Sequence, residues 1–281
     1  MTRTLILDNV CKQFGSLAAT KNMSLKFEPG RIYGLIGPNG AGKSTLINLI
    51  SGALDVTSGK ILLDDREVNG LPKHMVARAG IARTYQNVRL FDNLSAMDNL
   101  EVALYPEYSG SMWREILLPG FGRRASMERR QRCMSVLEAC GIAQYADTTA
   151  NLLPYGRQRI LEIARALVSN PAVLLLDEPA AGLNHGETAE LKSRLKALQR
   201  PDRIMIIVEH DMDLIMTLCD HIYVLNFGQP LFSGTPTEVQ ESTVVQEAYL
   251  GTSDEIESIH TLAQSRKSNE WLRANSDIKR Y

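Results

Sequence analysis

The sequence is poor in the features that would mark several classes of protein. Its four cysteines, Cys11, Cys133, Cys140 and Cys219, are scattered, with no C-x-x-C pair and no clustered histidines. That spacing excludes the common zinc and redox motifs and leads us to expect a reduced, cytosolic protein. No apolar run approaches the roughly 20 residues of a membrane span, so work at a membrane would require spans from other subunits. Met1-Thr2-Arg3 passes straight into the strand-like Thr4-Leu5-Ile6-Leu7, a start expected to be neither a signal peptide nor a lipidation site. Excess charge is missing too: 31 Lys and Arg face 32 Asp and Glu. The balance gives no electrostatic ground for nucleic acid as the main partner. There is no internal repeat and no low-complexity tract. The 281 residues can bury a sizeable core, as one large domain or as one domain carrying an inserted subdomain.

What is present lies in short motifs. Gly37-Pro38-Asn39-Gly40-Ala41-Gly42-Lys43-Ser44-Thr45 fits the phosphate-binding pattern G-x-x-x-x-G-K-[ST]. Its context is right: Ile32–Ile36 is predicted as a buried strand before it and Ser44–Ile50 as a helix after it. Glycines let backbone N–H groups curl round phosphates without Cβ clashes, and the helix N-terminus adds a field that favours an anion. The expected ligand is a nucleotide. Lys43 is predicted to reach its β- and γ-phosphates, and Ser44 to place a hydroxyl on Mg²⁺.

Along the chain, short apolar strands are predicted at Lys60–Leu63, Val173–Leu176, Ile204–Val208 and Ile222–Leu225, alternating with helical patterns. This is the grammar of a mainly parallel sheet covered by helices. From about Asn87 to Leu153 strand runs are lacking, and Trp113, amphipathic spacing and Arg129-Arg130-Gln131-Arg132 suggest an inserted helical subdomain. With Glu128 beside them and Glu138 two turns on, these arginines are expected to form a solvated helix face rather than a nucleic-acid or lipid site. Thr235-Pro236-Thr237-Glu238 carries the capping-box signature of a helix start, with the helix expected to end near Leu250-Gly251. Beyond Thr252 the chain is polar, with Trp271 and Leu272 as rare apolar points, and is expected to be a mobile tail or a docking segment.

Val173-Leu174-Leu175-Leu176-Asp177-Glu178 ends an apolar strand in two carboxylates, where a parallel strand would deliver acids to a phosphate site. Asp177 is placed to hold Mg²⁺, and Glu178 to orient and deprotonate a water attacking the γ-phosphorus.

These motifs occur in one order with Gln86 after the Ile81–Tyr85 strand, Leu153-Pro154-Tyr155-Gly156-Arg157-Gln158 before a helix, Ala181-Gly182-Leu183-Asn184, and His210 after a buried strand. The whole resembles an ATP-binding cassette (ABC) ATPase from about Leu5 to Gly251. The resemblance implies a P-loop NTPase fold of the RecA-like type: a mainly parallel sheet, an antiparallel β subdomain and an inserted helical subdomain. It divides the chain into an ATPase core at 1–88 and 156–251, a helical subdomain with the signature segment at 89–155, and a tail at 252–281. It further implies ATP and Mg²⁺ as ligands, Gln86 contacting the metal or water, and His210 contacting the γ-phosphate. Phe14 would stack on adenine, although a loop phenylalanine can also be core. In the family, two cassettes pack head to tail, so Gly156 would offer its N–H to the partner's γ-phosphate, with Asn184 on the loop between the two sites.

Finer features, including Gly80–Phe91, Tyr155-Gly156, Leu161–Leu167, Ala180–Asn184 and Ala248–Gly251, look like the ATPase subunits of the branched-chain or hydrophobic amino acid uptake family. That likeness implies an importer subunit at the cytoplasmic face of the membrane, working with permeases, a second ATPase subunit, the same or different, and an external solute-binding protein. Amides or small carboxylates remain alternative solutes, and a soluble non-transport ABC ATPase an alternative class. Pro154 and Arg157 depart from the common signature L-S-G-G-Q at its serine and glutamine. Arg89, Leu90 and Phe91, just after Gln86, are expected either to meet a permease helix or to belong to the core.

Overall fold

The computed structural model describes residues 3–108 and 121–249. Trp113, the end of the last helix near Leu250-Gly251 and the 252–281 tail lie outside the described residues.

Two sheets organise the described residues. The first is antiparallel, in the order β2-β1-β4-β5, and is built from β1 (Leu5–Phe14), β2 (Leu17–Phe27), β4 (Ser58–Leu63) and β5 (Arg66–Glu67). The second has six strands in the order β10-β9-β3-β8-β7-β6. They are β3 (Ile32–Ile36), β6 (Ile81–Arg83), β7 (Val173–Asp177), β8 (Ile204–Val208), β9 (His221–Asn226) and β10 (Gln229–Gly234). Within it β6, β7, β8, β3 and β9 run parallel, and β10 returns antiparallel to β9.

The apolar runs explain the burial. Every residue of β3, β7 and β8 is buried, as expected of strands covered on both faces. Alternate side chains then serve different cores. Leu174, Leu176, Met205 and Ile207 pack with the helices, whereas Val173, Leu175, Ile204 and Ile206 pack with the antiparallel sheet. Lys60–Leu63, expected in the parallel sheet, instead pairs antiparallel with β1. Its interrupted burial is that of a sheet with only one face covered.

The helix after the phosphate loop, α1 (Lys43–Ile50), lies on the face shared with the antiparallel sheet. Helix α2 (Lys73–Ala79) ends at Gly80 and leads into β6. Between β6 and β7 the described chain is helical: α3 (Ala96–Tyr108), α4 (Phe121–Ala139), two short 3₁₀ turns and α5 (Tyr155–Leu167). Among the described residues, pairing there is limited to the isolated bridge of Ser95 with Thr149. On α4, Arg130 is exposed and pairs with Asp147 at 3.2 Å. Arg132 donates to the Val168 carbonyl at 2.8 Å, so this part of the basic cluster is spent on the protein itself.

Helices α6 (His185–Leu198) and α7 (Met212–Leu218) follow β7 and β8. The capping box at Thr235 forms as expected. The helix it opens is shorter than expected: α8 (Pro236–Glu241) stops at Ser242, and α9 (Thr243–Tyr249) begins anew. Ser242 is extended, and its hydroxyl accepts the Val245 N–H at 3.4 Å, so this serine interrupts the expected helix and caps a second one.

Candidate ATP site

The parallel sheet brings the carboxyl ends of β3, β6, β7 and β8 to one edge, the usual place for a ligand in such sheets. Beyond β3 the phosphate loop curls tightly. A Cβ on Gly37 (φ +148°) would sit 2.1 Å from the Leu225 carbonyl oxygen, and one on Gly42 (φ +97°) 2.7 Å from that of Ala19. These two positions therefore require glycine. Lys43 is buried, and its Nζ donates to the carbonyls of Gly37 at 2.5 Å and Pro38 at 3.2 Å. The ammonium is thus held inside the loop, where phosphate oxygens would lie.

A cavity of about 540 Å³ opens over this loop. It gathers Phe14, Asn39, Gly40, Ala41, Gly42, Lys43, Ser44 and Thr45 with Gln86, Glu178 and His210. Phe14 is 46% exposed rather than core, and Lys12 Nζ stands 5.1 Å from its ring centre. At the centre of this group is Glu178, held in the left-handed region at φ +48°, with its N–H on the Val208 carbonyl at 2.8 Å. A non-glycine residue there stores backbone strain of the kind found at functional sites. Its Oε2 accepts Gln86 Nε2 at 3.0 Å, and its Oε1 lies 3.2 Å from His210 Nε2. Residues from the ends of β6, β7 and β8 thereby meet at one carboxylate.

Asp177 is not among the residues lining this cavity; it is buried, with its carboxylate 2.8 Å from the Arg83 guanidinium. The Ser44 hydroxyl, the Asp177 carboxylate and the Gln86 amide are hard oxygen donors, which suits Mg²⁺. Among the described residues no group of three or more His, Cys, Asp and Glu side chains is placed to hold a metal ion.

Gly156 is not brought to this cavity. It lies at the start of α5 beside Arg157, Glu187 and Glu190, in a separate cavity of about 260 Å³. A Cβ at Gly156 would come 2.7 Å from Glu187 Oε1, and Glu187 completes a capping box with Asn184. Tyr155 Oη also donates to the Ala181 carbonyl at 3.3 Å. The signature segment therefore rests on the Ala180–Asn184 loop of its own chain. Arg157 is anchored rather than presented, through Glu190 at 2.6 Å, and Arg194 holds the same oxygen at 2.5 Å. These bonds, to Arg157 first, keep the Glu190 carboxyl below its ordinary value.

Sequence reasoning missed three sets of supporting residues. On α5, Arg159 and Glu162 form an ion pair at 3.5 Å, each 2% exposed. Arg159 donates to the carbonyls of Tyr85 and Gln86, and Glu162 accepts the N–H groups of Tyr85 and Arg89 at 3.3 Å. Together they fix the backbone that carries Gln86. Burial pushes the Glu162 carboxyl up, and the backbone donors oppose it. Glu162 inside the apolar run Ile160–Ala164, with Arg159 immediately before it, was the signal. The second set is Arg83, which also reaches Asn48 at 2.5 Å and Ser51 at 3.2 Å and so ties α1 to Asp177. The third is Glu209, buried at the end of β8. It accepts the Ala180 N–H at 2.6 Å and the His210 N–H at 3.0 Å, and burial raises its pKa. It staples the loop after Glu178 to His210.

Comparison with known proteins identifies the family. The ABC transporter family model matches residues 20–181. The high-affinity branched-chain amino acid transport ATP-binding protein BraF of Pseudomonas aeruginosa is 40% identical over 89% of this chain and 99% of its own length. The ADP conformation of MJ1267, an ATP-binding cassette of an ABC transporter, superposes with a TM-score of 0.77 at 27% identity, covering 89% of this chain and all of that one. The dimeric post-hydrolysis state of the ATP-binding cassette MJ0796, bound to ADP and Pi, gives 0.69 at 27% identity, covering 83% and 98%. With a cavity over the phosphate loop at the carboxyl edge of its sheet, a family model matched over more than half its length and near full-length relatives that are ATP-binding proteins of transport systems, the chain belongs to the ABC transporter family of ATP-binding cassettes.

Proposed function

We propose that this chain is the ATP-hydrolysing subunit of an importer for branched-chain or other hydrophobic amino acids, coupling ATP binding and hydrolysis to separate permeases. The observation that carries the chemistry is the Glu178 carboxylate, held between Gln86 and His210 over the phosphate loop. The likeness to a branched-chain amino acid transport ATP-binding protein supports the solute class.

In this reading the core at 1–88 and 156–251 binds ATP, with the loop N–H groups and Lys43 on the phosphates. Ser44, Asp177 and Gln86 would hold Mg²⁺, which when bound supplies charge neutralisation on the β- and γ-phosphate oxygens. Glu178 orients the attacking water and takes its proton. His210 steadies the γ-phosphate, and Phe14 lies against the base. A second cassette, the same or different, completes the site by presenting its signature N–H groups. Gly156 does the same in return, which its position outside its own chain's cavity supports.

The helical segment at 89–155 faces the permease. A groove of about 440 Å³ is lined by Tyr85, Arg89, Leu90, Phe91, Val102 and Arg165. The two apolar residues divide here: Leu90 packs against the helical core, while Phe91 is 47% exposed beneath the Arg165 guanidinium. A short permease helix would bury Phe91. Among the described residues no helix is long and apolar enough to cross a membrane, so this docking would hold the chain at the cytoplasmic face of the membrane. An external solute-binding protein would feed the permeases.

The test is to purify the complex through a tag on this chain, identify its subunits, and measure ATPase stimulation by solutes. Co-purifying permeases and stimulation by leucine, isoleucine or valine are expected. Stimulation by amides or small carboxylates instead would overturn the solute assignment.

A further inference from the structure

Strands β9 and β10 are joined by a two-residue turn, Phe227-Gly228, flanked by the pair Asn226 and Gln229. Both turn residues have positive φ, 45° and 73°, the backbone of a tight type I′ hairpin in which Asn, Asp or Gly is favoured at the first position. A bulky aromatic there is a steric outlier. No burial offsets the strain, because Phe227 is 84% exposed. Strained residues of this kind persist where function uses them.

The turn is mounted on the nucleotide cavity from two sides. The Gly228 N–H donates to the carbonyl of Ala41 in the phosphate loop at 3.1 Å, and the Gly228 carbonyl accepts the Lys21 N–H of β2 at 2.8 Å. Phe227 thereby lines the same cavity as Phe14, Ala18 and Lys43. An exposed ring on a rigid, strained mount at the rim of a purine nucleotide site has the shape of a stacking platform.

We propose that Phe227 is a second base-contacting residue, so that the adenine of ATP is held between the rings of Phe14 and Phe227. The inference rests on the reading of this cavity as the ATP site. The phosphate loop holds the triphosphate end, and the aromatic pair holds the base, whose stacking is indifferent to exocyclic groups. Phe227 therefore adds affinity for nucleotides in general.

The experiment uses the full chain and isothermal titration with two probes, MgATP and magnesium tripolyphosphate, which lacks base and ribose. Phe227→Asn should raise the thermal midpoint, since asparagine suits the turn, and weaken MgATP binding about 5- to 150-fold, the range for loss of one base stack. Tripolyphosphate binding should not change. Phe227→Trp should keep MgATP affinity near wild type. A folded Phe227→Asn protein that binds MgATP as tightly as wild type would overturn this inference alone. So would an equal loss for tripolyphosphate, which would place the effect on the phosphate loop. Wild-type protein that binds neither probe would overturn the nucleotide reading, and this inference with it.

Discussion

Replacing Glu178 by glutamine tests the chemistry most directly. The substitution is isosteric, and glutamine can occupy the same left-handed backbone at φ +48°. The carboxylate uses its two oxygens separately, Oε2 for Gln86 at 3.0 Å and Oε1 towards His210 at 3.2 Å. Glutamine keeps one acceptor, so one of these contacts is weakened, a ground-state effect of about 0.5–1.5 kcal/mol. The larger effect is on the barrier. A positioned general base contributes about 10²- to 10⁴-fold, or about 2.7–5.4 kcal/mol. Nucleotide binding uses the phosphate loop and should persist, so Glu178→Gln is expected to accumulate an ATP-bound dimer. Phosphate release in the assembled complex measures the loss, and light scattering with MgATP measures the dimer. Turnover within about threefold of wild type in a folded, ATP-binding variant would refute Glu178 as the base, since that is far below the contribution of such a group.

Lys43→Ala should abolish hydrolysis, measured by phosphate release in the complex, and weaken ATP at least about 10-fold by titration, because it removes the loop's own cation from the β- and γ-phosphates. Phe91→Asp should release the subunit from membranes in a flotation assay while circular dichroism stays native, since exposed substitutions shift stability by about 0.5 kcal/mol or less; a folded variant that still floats with membranes would refute Phe91 as a docking residue. Arg157→Ala should lower the thermal midpoint at neutral pH. The Glu190 carboxyl is held below 4.5 by Arg157, so that stabilisation is present above 4.5 and disappears as pH falls through the depressed value. The gap between variant and wild-type melting curves should therefore narrow under acid, with Arg194 preserving part of the dependence. Pro154 caps α5 without a side-chain bond. Pro154→Ser should supply both a cap and a hydroxyl across the dimer interface, giving faster hydrolysis in the assembled complex.

The phosphate loop was legible in the sequence because its geometry is made by neighbours in the chain. The glycines, Lys43 and the strand and helix on either side act within a few residues of one another. Asp177 and Glu178 were legible for the same reason, as the end of an apolar strand, and so was the cap at Thr235. The placement of Lys60–Leu63 was not: its apolar residues suit either sheet, and only the pairing with β1 decides. Ser242 was missed because a serine inside a helical pattern differs from a cap only in its own backbone angles.

The sequence by itself determined which residue types could handle a nucleoside triphosphate, and the order in which they come along the chain. The tertiary structure alone decided that Gln86 and His210 meet Glu178. That meeting depends on the parallel registers of β6, β7 and β8, which bring Gln86 to Glu178 across 92 residues of chain and His210 to Glu178 across a whole intervening helix, through packing that no local pattern encodes. It also decided that the Arg159–Glu162 pair and Glu209 would be enclosed as supports for those loops, and that Phe227 would stand exposed at the rim of the cavity. A side chain's burial and its hydrogen-bond partners are set by what folds over it, and for these residues that material comes from distant parts of the chain.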